Sequence, residues 1–71
     1  MNEITEMMAD MVKNIALLLM EKDKELSMEQ ALSTVFNSNT YRKIMDERTG
    51  LYYQSSKYVF SFLEDELKTR K

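Results

Sequence analysis

Seventy-one residues with no cysteine, no histidine, no proline and a single glycine exclude disulfides, thiolate or imidazole metal sites, and the commonest general base at neutral pH. A chain this short makes one domain near the lower size limit for folding unaided, so stability must come from buried apolar surface, within the chain or against a second copy. The hydrophobic fraction of 44% beside 31% charged residues is too much apolar material to leave solvated, which excludes disorder.

The net charge of −2 conceals an asymmetry. Residues 1–30 carry seven acids and three bases, net −4, while residues 31–71 carry seven bases and five acids, net +2. The first half is therefore a poor ligand for nucleic acid, and the second half leaves that role open. The longest apolar run, Ile15–Met20, is six residues, against roughly 20 for a membrane span. The N-terminus is acidic where a secretory signal is basic. Together these features predict a cytoplasmic, bacterial-type protein with no membrane segment.

Nothing breaks a helix over long distances, and Leu, Met, Glu, Lys and Ala abound, which predicts an all-α small four-helix domain. The first helix is expected over about 3–22. Ile4, Met8, Met11, Ile15 and Leu18 follow alternating steps of four and three, a helix seam; Met7, Val12 and Leu19 widen it. Glu3, Glu6, Asp10, Lys13 and Glu21 fall mostly opposite. Leu17 and Met20 point away from the seam, so the last turns are apolar nearly all round. Three short followers are not expected to cover both sides, which predicts a homodimer or a protein partner held through Met8, Met11, Ile15, Leu18 and Leu19. Methionine packs adaptably, so Met7, Met8 and Met11 together could be a partner-helix groove or a dimer seam, while simple core is the expectation for two of the three.

After a polar break at 22–25, Ser27 reads as an N-cap with Gln30 reaching back to it, a capping box, with Leu26 and Ala31 at staple positions. Met28, Ala31, Leu32, Val35 and Phe36 then predict a helix over 28–36. "NSN" at 37–39 supplies turn and cap residues, and a third helix is expected over 39–47 with Tyr41, Ile44 and Met45 inward. Gly50 suits the left-handed residue that stops a helix, "LYYQ" reads as extended, and Ser55 caps a last helix over 56–69. That helix is expected to bury Tyr58, Val59, Phe62, Leu63 and Leu67, to turn Glu64, Asp65 and Glu66 outward, and to end on Lys68, Arg70 and Lys71, where positive charge suits the dipole.

Candidate chemistry is thin. Ser55, Ser56 and Lys57 adjoin, but a capping serine beside a surface lysine accounts for them. Asp46–Glu47 and Glu64–Asp65–Glu66 are adjacent acids that diverge on a helix and do not converge as an acid/base pair. No glycine-rich phosphate loop occurs, so no enzyme, cofactor, metal or small-molecule substrate is expected. Helices at 28–36 and 39–47 could instead form a helix-turn-helix-like unit over 27–48, placing Asn39, Thr40, Arg42 and Lys43 where they could contact phosphates and base edges, with "RTGLYYQ" as a small wing. A joining turn without glycine, and Asp46 and Glu47 beside the two bases, weigh against it. Tyr52 and Tyr53 are consecutive, so in extended chain they face opposite ways. One can plug the core while the other is left outward as a partner contact.

The stretches "LSMEQAL" and "NSNTYRKIMDERTGLYYQSSKYVFSFLEDEL", together spanning 26–67, resemble a family of small uncharacterised bacterial proteins of about this length. The resemblance lies in the capped "EQAL" helix, the S-x-T-Y junction, the "TGLY" corner and the S-x-x-Y-V helix start. Some similar proteins look like the small member of toxin–antitoxin-like gene pairs, which implies a protein partner. The resemblance also implies a proline after the capping serine, where this chain has Ser56; either residue suits a first helical position. The combined expectation is a non-enzymatic, self-associating interaction module, with a DNA-binding regulator as the alternative.

Overall fold

Asn2 starts the chain's longest element. Its backbone is extended (φ −88°, ψ 169°) and its side chain accepts the Thr5 N–H at 2.8 Å, a cap that satisfies one of the first-turn donors. The computed structural model describes residues 2–69. From this cap runs α1, Glu3–Lys22, with Glu3 and Glu6 in its first turn and Lys22 in its last, as the helix dipole favours. It stops where the Asp23 N–H closes on the Leu19 carbonyl and the backbone turns extended.

The capping box at Ser27 is present in full. The Gln30 N–H donates to Ser27 Oγ at 3.1 Å, and the Ser27 N–H donates to Gln30 Oε1 at 2.9 Å. It opens α2, Met28–Phe36. Between α2 and the next helix sits Ser38, fully buried: its hydroxyl donates to the Val35 carbonyl at 2.6 Å and accepts the Tyr41 N–H at 3.0 Å. One small side chain thus closes α2 and caps α3.

Helix α3, Asn39–Ile44, ends short of the expected 47, and local side chains explain why. Asp46 turns extended and its carboxylate accepts the Arg48 N–H at 3.1 Å. The Thr49 hydroxyl bonds the carbonyls of Lys43 and Asp46. Short polar side chains have taken over groups a longer helix would use. A 3-10 turn, Glu47–Thr49, follows and ends at Gly50, in the left-handed region at φ 67°. A β-carbon there would also meet the hydroxyl end of the Tyr53 ring at 2.9–3.0 Å, so the backbone favours glycine and any other residue must also displace that ring. The "LYYQ" segment is not extended. Residues Leu51–Tyr53 form a second 3-10 turn, because the Tyr53 N–H donates to the Gly50 carbonyl and the Gln54 N–H to that of Leu51. Ser55 Oγ then accepts the Tyr58 N–H at 3.2 Å and starts α4, Ser56–Thr69. The expected terminal charges Arg70 and Lys71 lie outside the described residues.

The protein is all-α, with four helices and no strand among the described residues. Helix α1 is the spine: α2, α4 and the Leu51–Tyr53 turn all pack on it, and α3 rests on α4. Ile15, Ala16, Ala31, Val35, Ile44, Val59 and Leu63 are wholly buried where these elements meet. Burial of each larger aliphatic among them contributes about 1.5–3 kcal/mol. The radius of gyration of 11.5 Å matches the roughly 11 Å of an ordinary domain of this length, so one chain suffices to close this core.

That closure corrects several expectations. Helix α1 buries Met8, Met11, Val12, Ile15, Ala16 and Leu19 within the chain, and Ile4, Leu18 and Met20 pack against the same core. The surplus foreseen on its last turns shrinks to Leu17, 40% exposed. On α4 the buried stripe is Val59, Phe60 and Leu63, with Phe62 and Leu67 partly covered. It is turned by one residue from the expected face, and Tyr58 is left exposed. Phe36 and Met45, expected inward, are 52% and 41% exposed.

Candidate interaction surfaces

Three i,i+4 pairs build an apolar groove. Thr5 and Ala9 on α1, both small, make a shallow floor. Leu32 and Phe36 from α2, with Tyr41 from α3 and Met45 at its C-cap, stand along it. Val12 and Lys13 complete a concavity of about 310 Å³ in which Thr5, Lys13 and the Tyr41 hydroxyl are the polar side-chain groups. Phe36 meets Tyr41 edge-to-face at 5.2 Å between ring centroids, a geometry that fixes both rings. Helix α3 is only six residues long, and Met45, which caps it, lines the groove together with Tyr41.

The five residues read from sequence as an interface do not form a surface. Met8, Met11, Ile15 and Leu19 are 0–8% exposed, covered by the chain's own helices; only Leu18 keeps part of its surface. The sequence pattern located an apolar face correctly, and the partner that covers it is intramolecular.

The candidate nucleic-acid residues divide. Thr40 is buried, and Glu66, expected outward, reaches across from α4. Its carboxylate accepts the Asn39 N–H at 2.7 Å, the Thr40 N–H at 2.9 Å and the Thr40 hydroxyl at 2.9 Å. A carboxylate therefore occupies the α3 N-terminus, where a phosphate would have to bind. Arg42 and Lys43 are exposed, but Arg42 leans on Asn39 at 3.4 Å and the Lys43 ammonium lies 5.8 Å from the Phe62 ring centroid. The structure does not bring these four side chains together as a reading head.

Tyr52 packs against the core and Tyr53 is 63% exposed, the division of burial foreseen, but in a 3-10 turn rather than the extended chain from which it was expected. Their rings meet edge-on at 5.2 Å. With Asp10 and Asn14 of α1, and with Gln54, they line a second concavity of about 270 Å³. Ion pairing lies elsewhere. Lys22 and Glu64 tie α1 to α4 at 2.6 Å, and Arg48 grips Asp46 through two guanidinium contacts at 3.0–3.1 Å. The side-chain hydrogen bond from Arg48, helped by its backbone N–H, holds the Asp46 carboxyl below its ordinary range and raises Arg48 in turn. Arg48 is exposed and Asp46 half-buried, so water screens the pair and it is a local clasp that adds little to stability.

Among the described residues no three His, Cys, Asp or Glu side chains cluster to hold a metal ion, and no helix is long and apolar enough to cross a membrane. Comparison with protein-family models, with curated proteins and with solved structures gives no match, so the resemblance read over 26–67 rests on its sequence motifs alone.

Proposed function

We propose that this chain is a non-enzymatic interaction module that pairs with a second copy of itself through the groove between α1, α2 and α3. The observation that carries this reading is the exposure of Phe36 and Met45 at the rim of an apolar concavity. The same face presents both a projecting aromatic ring and a trough. A two-fold interface needs that self-complementarity, because each copy offers the partner the surface it receives. A net charge of only −2 opposes such pairing weakly. The dimer expected from the sequence is thereby moved from the α1 seam, which the core occupies, to a face the core leaves uncovered.

A DNA-binding role for 27–48 is not favoured, since Thr40 is committed to Glu66 and a carboxylate sits on the α3 N-terminus. Sedimentation equilibrium from 5 to about 500 μM tests the proposal, because a groove of this size supports affinities on the order of micromolar to tens of micromolar. A mass that rises toward twice the monomer supports it. A constant monomer mass over the whole range refutes it.

A further inference from the structure

The concavity between α1 and the Leu51–Tyr53 turn has a different chemistry from the groove. Asp10 supplies a carboxylate, Asn14 and Gln54 supply side-chain amides, and Tyr52 and Tyr53 supply aromatic rings. No lysine or arginine lines it. The nearest bases in sequence face elsewhere: Lys13 lines the apolar groove, and Lys57 lines a separate concavity of about 400 Å³ with Glu21, Lys22 and Glu64. In that separate concavity Lys22 and Glu64 already neutralise each other. The ion pairs among the described residues, Lys22–Glu64 and Arg48–Asp46, leave Asp10 uncommitted. Asp10 also lies one helical turn from Glu6, on the half of the chain that carries net −4.

A carboxylate and side-chain amides beside aromatic rings, with no base among the lining residues, make an environment that attracts an organic cation. We propose that this concavity receives a lysine or arginine side chain of a partner protein, with Asp10 as counter-ion and Tyr52 and Tyr53 as the aromatic wall. The exposed Tyr53 is the accessible part of that wall, and its ring end lies over Gly50, where the missing β-carbon leaves it room. This site is separate from the self-pairing groove, and its failure leaves the pairing reading intact.

The test is an NMR titration of the full chain with N-acetyl-lysine amide and N-acetyl-arginine amide, with N-acetyl-norleucine amide as the uncharged control and putrescine as a free amine. Saturable shifts at Asp10, Asn14, Gln54 and Tyr53 are expected with the two basic amides, at dissociation constants on the order of millimolar to tens of millimolar, as for a single exposed cation contact. Asp10→Asn is expected to weaken them roughly three- to tenfold, and 0.5 M salt to weaken them similarly. Tyr53→Phe keeps the ring and retains binding, whereas Tyr53→Leu loses it. An equal response to norleucine amide, no saturation, or an Asp10→Asn variant that binds unchanged overturns the proposal. Tighter binding of putrescine than of either amide also overturns it, by identifying a free amine as the ligand.

Discussion

Truncating Phe36 separates the self-pairing account from one in which the groove is only an imperfectly covered core. The ring is 52% exposed. An aromatic side chain buries about 150–250 Å² in full, so pairing removes roughly 100 Å² per copy, about 2.5 kcal/mol at 25 cal/mol per Å². In a two-fold dimer the loss counts twice. Allowing for the retained β-carbon, Phe36→Ala should weaken dimerisation by about 4 kcal/mol, a ~1000-fold rise in Kd. The monomer should suffer less, losing the edge-to-face contact with Tyr41 and the half of the ring already covered. The assay is sedimentation equilibrium of both proteins over the same concentration range, with thermal melts at micromolar concentration to confirm that the variant is folded. A Kd changed less than threefold in a folded variant would refute the assignment of the interface.

Other residues test the fold and the clasps that shape these surfaces. Gly50→Ala should destabilise by about 1–2 kcal/mol from the left-handed backbone alone, and more from the Tyr53 ring against the new β-carbon; denaturant melts of Gly50→Ala with and without Tyr53→Ala divide the two, and equal losses would show that the ring moves aside freely. Glu66→Ala should cost about 2 kcal/mol, because charge-assisted bonds to the α3 N-terminus are lost, and a melt unchanged from the parent protein would contradict that role. Asp46 titrates below its ordinary range because of Arg48. Its folded value is depressed, so its contribution is present above the unfolded pKa and lost as pH falls through the folded one. Arg48→Gln should move the carboxyl resonance titration of Asp46 upward, and no movement would mean the clasp is absent in solution.

The helix starts were the most legible part of the sequence. Ser27 with Gln30, Ser38 and Ser55 all act through short-range hydrogen bonds that sequence spacing reports directly, and Gly50 needed only its φ. Which apolar residues end up covered was less legible. Phe36, Met45 and Tyr58 sit in good periodic stripes, but coverage depends on where α3 stops and how α4 is rotated, and both follow from contacts distant in sequence. Thr49 and Asp46 shorten α3, and Glu66 draws α4 onto its start from 26 residues away. Glu66, an acid read as solvated, is turned inward by the free N–H groups of Asn39 and Thr40, and the α1 seam is covered by α2, α4 and the Leu51–Tyr53 turn. Among the site residues, the unequal burial of Tyr52 and Tyr53 was foreseen but from an extended chain that is in fact a 3-10 turn, and Asp10 and Asn14, which line the same concavity, come from a helix some forty residues earlier and carry no local signal.

The central claim is that two copies meet through Phe36 and Met45, and an isotope-filtered NOE experiment on a mixture of ¹³C-labelled and unlabelled protein tests it most directly. At concentrations where the mass has doubled, the account predicts intermolecular NOEs from the Phe36 ring to the methyl groups of Met45 and Leu32. Intermolecular NOEs confined to Leu17, Tyr58 or other positions away from the groove would contradict it.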